Sequence, residues 1–239
     1  LALSKSLLLK STQLLIRKIY IPLLLIIIWA CLIRFLRLPN YILPTPLEVL
    51  HNLINYSSLI SYHLLATLEE TVLGLLLGIL LGMLIALSMC LFRPIHAFLL
   101  PLLLASQALP IFVIAPLLVL WFGYGITAKI LTTTFMLFFP VANNLAHIMN
   151  SSRWQTLYQI RIPAALPNLA SGIRIATAMA PLGAIIGEWV GSSQGLGFLL
   201  LNANAQMQTG LMFAILAVIF FFSIFIYLLI DKLLCLGMP

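Results

Sequence analysis

The sequence predicts an all-α fold, a polytopic bundle of about six transmembrane helices making one domain over residues 1–239. Three observations carry that expectation. Of the 239 residues, 63% are hydrophobic and only 7% are charged, a balance that a water-soluble domain cannot hold without exposing large apolar patches. The apolar residues come in solid runs, not in the polar and apolar alternation of a membrane barrel. Several runs reach the roughly 20 residues that a helix needs to cross about 30 Å of hydrocarbon.

The expected spans run from Ile19 to Phe35, Leu64 to Leu91, Ala97 to Trp121, Thr127 to Ile148, Gly172 to Val190 and Leu211 to Ile230. With the N-terminus in the cytoplasm, the inner side receives Lys5, Lys10, Arg17, Lys18, Arg93, Arg153, Arg161, Arg174 and Lys232. The outer side receives Arg34, Arg37 and Lys129. Nine basic residues against three obey the positive-inside rule, so both termini are expected in the cytoplasm. The formal charge of +7 therefore reads as a topology signal and not as a nucleic-acid surface.

The first span follows a basic segment and reads as an uncleaved signal anchor, because further apolar segments succeed it. The next loop contains LPTPLEVLHNLINY, where Thr45, Pro46 and Glu48 have the spacing of an N-cap, a first helical residue and a capping-box acid. A short amphipathic helix with Leu47, Leu50 and Ile54 on one side is expected there, on the outer surface. In the second span, Gly74, Gly78, Gly82 and Ala86 recur every four residues, a small-residue ridge that lets another helix approach closely.

The fifth span repeats the device, with Gly172, Ala176, Ala180 and Ala184 leading to Glu188, and Gly183, Gly187 and Gly191 forming a second row. Pro181 sits in mid-span and is expected to kink the helix. Glu188 reads as the one acid inside a span away from its ends. Such an acid either serves a translocation pathway or makes a structural bond near the outer interface, with Lys129 as a partner. After this span, VGSSQGLGFLLLNANAQMQTG reads as irregular backbone, its Asn202, Asn204, Gln206 and Gln208 solvated.

Cys31, Cys90 and Cys235 are odd in number and widely spaced, and read as packing residues without disulfides. His51, His63, His96 and His147 lack metal-ligand spacing and read as ordinary loop or helix-end histidines. No cofactor or metal is expected. There is no G-x-x-x-x-G-K-[ST] phosphate loop, so the chain is not itself an enzyme. A second buried acid or an acid–histidine relay is not expected either, which counts against a self-contained proton-coupled carrier. Energy then has to arrive from another subunit. The sizeable inner segment is 149–170, where SSRWQTLYQIRIPAALP has serine caps, about two helical turns, and Pro163 blocking further propagation. A helix with Trp154, Leu157 and Tyr158 on one side can enter a groove on a partner or lie on anionic lipid.

The run RIPAALPNLASGIR resembles the second half of the cytoplasmic coupling motif of permease subunits in bacterial binding-protein-dependent ABC importers. LPTPLEVL, ALPIFVIAPLLVLWFGYG, FFPVANN and GEWVGSSQGLGFLLLNANAQMQT are similar to further segments of that family, in the order of its nitrate, sulfonate, taurine and thiamine-pyrimidine-precursor branch. The last of these segments looks most like the thiamine-precursor group. The resemblance implies the type I importer permease fold, a homodimer, an ABC ATPase subunit that binds the ATP, a periplasmic substrate-binding protein, and a place in the bacterial inner membrane. It also implies an ATPase-coupling role for Ser152, Arg153, Trp154, Arg161, Ile162, Pro163, Leu166, Pro167 and Gly172, and Glu188 falls where related permeases also place an acid, while the kink expected at Pro181 in a small-faced helix suits a translocation pathway. One departure stands out: the Glu-Ala-Ala that opens the family's loop is absent, and Asn150 occupies the position of its glycine. A shortened importer loop, a secondary carrier using Glu188, and a non-transporting or degenerate relative all remain open at this point.

Overall fold

A computed structural model describes residues 20, 23–146 and 162–237. Every regular element among them is a helix. These are α1 (Leu23–Leu36), α2 (Pro46–Asn55), α3 (Ser57–Leu91), α4 (Arg93–Ala108), α5 (Ile111–Phe122), α6 (Ile126–Ala146), α7 (Ile162–Gly191), α8 (Leu196–Ala205) and α9 (Thr209–Gly237). α3, α6, α7 and α9 are long and apolar enough to cross a membrane, and α1 is a shorter apolar helix.

The expected third span, Ala97 to Trp121, is not one straight helix. α4 and α5 meet at a bend of 102°. The cause is Pro110, which lacks an amide hydrogen and holds Leu109 before it in extended backbone at φ −87°, ψ 117°. Among the described residues there are four spanning helices, or five where the bent pair counts as one span, and the expected first span is described only from Leu23, as the shorter apolar helix α1.

The chain packs as two compact units. The first comprises the residues up to Ser57 with Ala203–Ala214. Here the expected surface helix forms as α2: the Thr45 hydroxyl accepts from the Glu48 amide at 3.2 Å, and Pro46 takes the first turn. Leu47, Leu50 and Ile54 are exposed and Val49 is buried. Thr209 Oγ1 donates to the Tyr41 carbonyl at 3.1 Å, and the rings of Trp29 and Phe213 pack 5.9 Å apart.

The second unit comprises Ser58–Asn202 with Ile215–Pro239. Its core is α6, clasped by small residues on both sides. A Cβ on Gly78 would lie 2.8 Å from Leu137 Cβ, and one on Gly82 would lie 2.6 Å from the Phe138 carbonyl oxygen. From α7, Gly183 approaches the Thr133 backbone and Gly187 the Lys129 backbone, where added Cβ atoms would lie 3.1 and 3.0 Å away. Both glycine rows therefore do the close packing that their spacing predicts. The buried hydroxyls of Thr132 and Thr133 return to the carbonyls of Ala128 and Lys129, one turn back, which satisfies them inside an apolar helix pair.

α7 begins ten residues before the expected fifth span. Pro163 does not end a helix but stands in the first turn of one, where its missing amide costs nothing. The helix then continues through Pro167 and Pro181 to Gly191. Arg174 Nε pairs with Asp231 Oδ1 at 2.6 Å, joining α7 to α9 within this unit. The stretch after α7 is also more regular than expected: only the turn at 192–195 separates it from α8. Asn204, Gln206 and Gln208 are solvent-exposed, in keeping with their reading as solvated amides.

Candidate functional site

Within the second unit, the N-terminal part of α3, the start of α6 and the end of α7 place three charged side chains in the interior. Glu70 and Glu188 are each 1% exposed and Lys129 is 6% exposed. Lys129 Nζ forms an ion pair with Glu70 Oε1 and donates to Ser192 Oγ at 3.0 Å. Two carboxyls and one ammonium thus share a space largely withdrawn from water, where each unpaired charge is costly.

Glu188 has a different set of bonds from the one considered for it. Its pair is not Lys129. Its Oε1 accepts from Thr67 Oγ1 at 2.6 Å, and its Oε2 accepts from the Gly197 amide. The neighbouring donors are taken in the same way: the Leu196 amide donates to Thr67 Oγ1 at 2.8 Å, and the Gly195 amide to His63 Nδ1 at 3.0 Å. A helix leaves its first amides without intrahelical partners. At α8 three consecutive ones are capped by side chains from α3 and α7. The approach is so close that a Cβ on Gly195 would fall inside the Glu188 carboxylate, and Gly195 also has φ +113°, so glycine is required there twice over.

Two expectations are overturned here. A second buried acid does exist, Glu70, and His63 is no ordinary loop or helix-end histidine but a buried acceptor at 6% exposure. The signal that could have revealed them is spacing. His63, Thr67, Glu70 and Gly74 recur at three- and four-residue intervals, so they lie on one side of α3 and extend the glycine ridge. A span starting at Leu64 leaves His63 outside it, although Thr67, Glu70 and Gly74 lie within.

Glu188→Ala removes the acceptor for two donors, and a buried unsatisfied donor costs about 1–3 kcal/mol. We expect amide exchange at residues 195–199 to speed up at least tenfold. Unchanged protection there would show that Glu188 does not hold the start of α8.

Beside this cluster lies a partly open pocket of about 360 Å³, lined by Glu69, Glu70, Tyr124, Lys129, Ser192 and Gln194 among others. Its volume is in the range of small-molecule sites. Glu188 is behind the pocket, not among its lining residues. Among the other expected site residues, Gly172 packs against Pro140 and Val141 of α6, and Leu166 and Pro167 are exposed on α7. Pro181 is a buried interior residue of α7. Ile162 and Pro163 open α7, while Ser152, Arg153, Trp154 and Arg161 lie outside the described residues. Of the expected coupling residues, the described ones stand in the N-terminal part of α7, whereas Glu188 stands near its C-terminal end.

Comparison with known proteins bears on this arrangement. Residues 78–234 match the family described as binding-protein-dependent transport system inner membrane component. The chain is 44% identical over 224 residues to a probable ABC transporter permease protein of Haemophilus influenzae, covering 88% of this chain and 91% of that one. It is 34% identical to a formylaminopyrimidine transport permease protein of Halalkalibacterium halodurans, covering 88% and 90% of the two chains. It is 36% identical to a riboflavin transport system permease protein of Chloroflexus aurantiacus, covering 88% and 84%.

Proposed function

Because the chain belongs to the inner membrane components of binding-protein-dependent transport systems, as a multi-pass ABC transporter permease, we propose that it is the transmembrane subunit of an ATP-driven importer carrying a small solute from periplasm to cytoplasm. Two copies form the pathway, an ABC ATPase subunit docks from the cytoplasm, and a periplasmic substrate-binding protein delivers solute. Both termini are cytoplasmic in this reading. The solute is a thiamine-pyrimidine precursor or a related nitrogen heterocycle, in line with the pyrimidine and riboflavin permeases among the relatives. Nitrate-, sulfonate- or taurine-like solutes are the second choice.

The observation that carries this reading is α7 itself. One helix of 30 residues runs from Ile162, at the edge of the coupling stretch, to the carboxylate cluster around Glu188. At about 1.5 Å per residue it spans roughly 45 Å, so a displacement at Pro163 and Pro167 reaches the far end through a single element. Ser152, Arg153, Trp154, Arg161, Ile162, Pro163, Leu166, Pro167 and Gly172 form the docking end in this scheme. Pro181 is a point of give along α7, and Glu188 acts on the pathway by holding the 192–197 turn beside the pocket. The buried Glu70 and His63 do not turn the chain into a self-contained carrier, because their bonds are spent on Lys129 and on the start of α8.

Single cysteines at positions 153 to 163 test the docking end. In membranes containing the whole transporter they are expected to crosslink to the ATPase subunit, and Arg153→Ala with Trp154→Ala is expected to lower ATP-dependent uptake at least tenfold at normal protein levels. Absence of any crosslink along 153–163, or uptake that survives ATP depletion and collapses with an ion gradient, would overturn the reading.

A further inference from the structure

The charges lining the 360 Å³ pocket divide unequally between used and unused. Lys129, the cation that could draw in an anionic solute, is already occupied by buried Glu70 and by Ser192. Glu69, next along α3, is exposed, lines the same pocket and has no ion-pair partner among the described residues. Glu70 also lines the pocket, but it is 1% exposed and spent on Lys129, so it neutralises that cation and offers no free carboxylate of its own. The pocket therefore has spare negative charge at Glu69, while its positive charge is spent.

From this we propose that the pocket is a solute site selective for neutral or cationic molecules rich in N–H donors, with Glu69 as the residue that sets the preference. An amino-substituted heterocycle can donate to the Glu69 carboxylate and to the Ser192 to Gln194 turn. A sulfonate or nitrate meets carboxylate repulsion, and can reach Lys129 only by displacing Glu70, which would leave a buried carboxylate unpaired. Tyr124, Gly125 and Ala66 also line the pocket, a mixture of apolar and polar surface suited to a flat ring with a polar edge. The proposal rests on the importer reading for the direction of transport, but the charge preference belongs to the pocket alone.

The test uses the full chain purified into lipid nanodiscs, with 4-amino-2-methylpyrimidine and methanesulfonate as probes at equal ionic strength, read by calorimetry and by shift of the melting temperature. The aminopyrimidine is expected to bind wild-type protein and methanesulfonate is not. Glu69→Gln is expected to weaken the aminopyrimidine about tenfold or more, as loss of a charged hydrogen bond does, and Glu69→Lys to admit methanesulfonate. Because Glu69 is exposed, both variants should melt as wild type does without probe, which separates a binding effect from misfolding. Equal binding of the two probes, binding of neither, or an aminopyrimidine affinity indifferent to Glu69→Gln would each overturn the proposal. A chain that crosslinks to its ATPase yet shows no charge preference defeats the pocket assignment alone. A chain with the preference but no ATPase contact defeats the importer reading alone.

Discussion

Lys129→Met is expected to remove most of the folded protein from the membrane. The substitution takes the ammonium away from Glu70, which is 1% exposed. Breaking one side of a buried pair costs about 3–5 kcal/mol, because the remaining charge is neither solvated nor compensated. Against a total stability of about 5–15 kcal/mol, that is a large share. The double variant Glu70→Leu/Lys129→Met is expected to recover most of the loss, since two apolar side chains of similar bulk leave neither member of the ion pair behind, and Glu188 keeps its bonds to Thr67 and the Gly197 amide. Melting temperatures of wild type, both single variants and the double variant in detergent give the coupling directly. Additive losses would show that the pair contributes nothing as a pair.

The second large effect is expected at Gly82. A Cβ there would stand 2.6 Å from the Phe138 carbonyl oxygen and 2.7 Å from Val141 Cβ, both on α6. Neither is the far end of a flexible side chain, so α3 and α6 themselves have to separate. Gly82→Ala is expected to cost about 1–3 kcal/mol, the usual penalty for overpacking. Gly82→Leu is expected to abolish monodisperse protein on size exclusion. Leu76→Ala, on the exposed side of the same helix, should change stability by no more than about 0.5 kcal/mol. Equal loss at both positions would mean that α3 tolerates change at the ridge as readily as on its exposed side.

The helical membrane class and the two small-residue rows were legible because both are one-dimensional patterns. A solid apolar run has a single explanation in a bilayer, and glycine every fourth residue marks a side of a helix whatever packs on it. α2 was legible for a similar reason: Thr45, Pro46 and Glu48 form a local cap that needs no distant partner. The break at Pro110 was written in ALPIF too, yet the residues around it are apolar enough to read as one span.

The charged cluster was not legible in full. Glu188 stood out because it follows a run of small residues, but its partners could not be inferred from position alone. Lys129, an outer basic residue by the charge bias, is buried in α6. Glu70 lies within the expected second span, and only the extension of the glycine ridge back through Thr67 and His63 marks its side of α3. Which carboxylate takes the lysine depends on the relative rotation of three helices, a quantity that no local spacing encodes.

The medium, the helical class, the faces along which α3 and α7 approach α6, and a resemblance that family comparison then bore out could all be read from the order of the residues. The pairing could not: Glu70 with Lys129, and Glu188 with Thr67 and the first amides of α8, emerge only once the helices are packed. The difference is one of range. Hydrophobic transfer and close packing act through the composition and period of each helix, whereas a buried charge is stabilised by whichever counter-charge or donor lies within about 3 Å, and that neighbour is chosen by the fold.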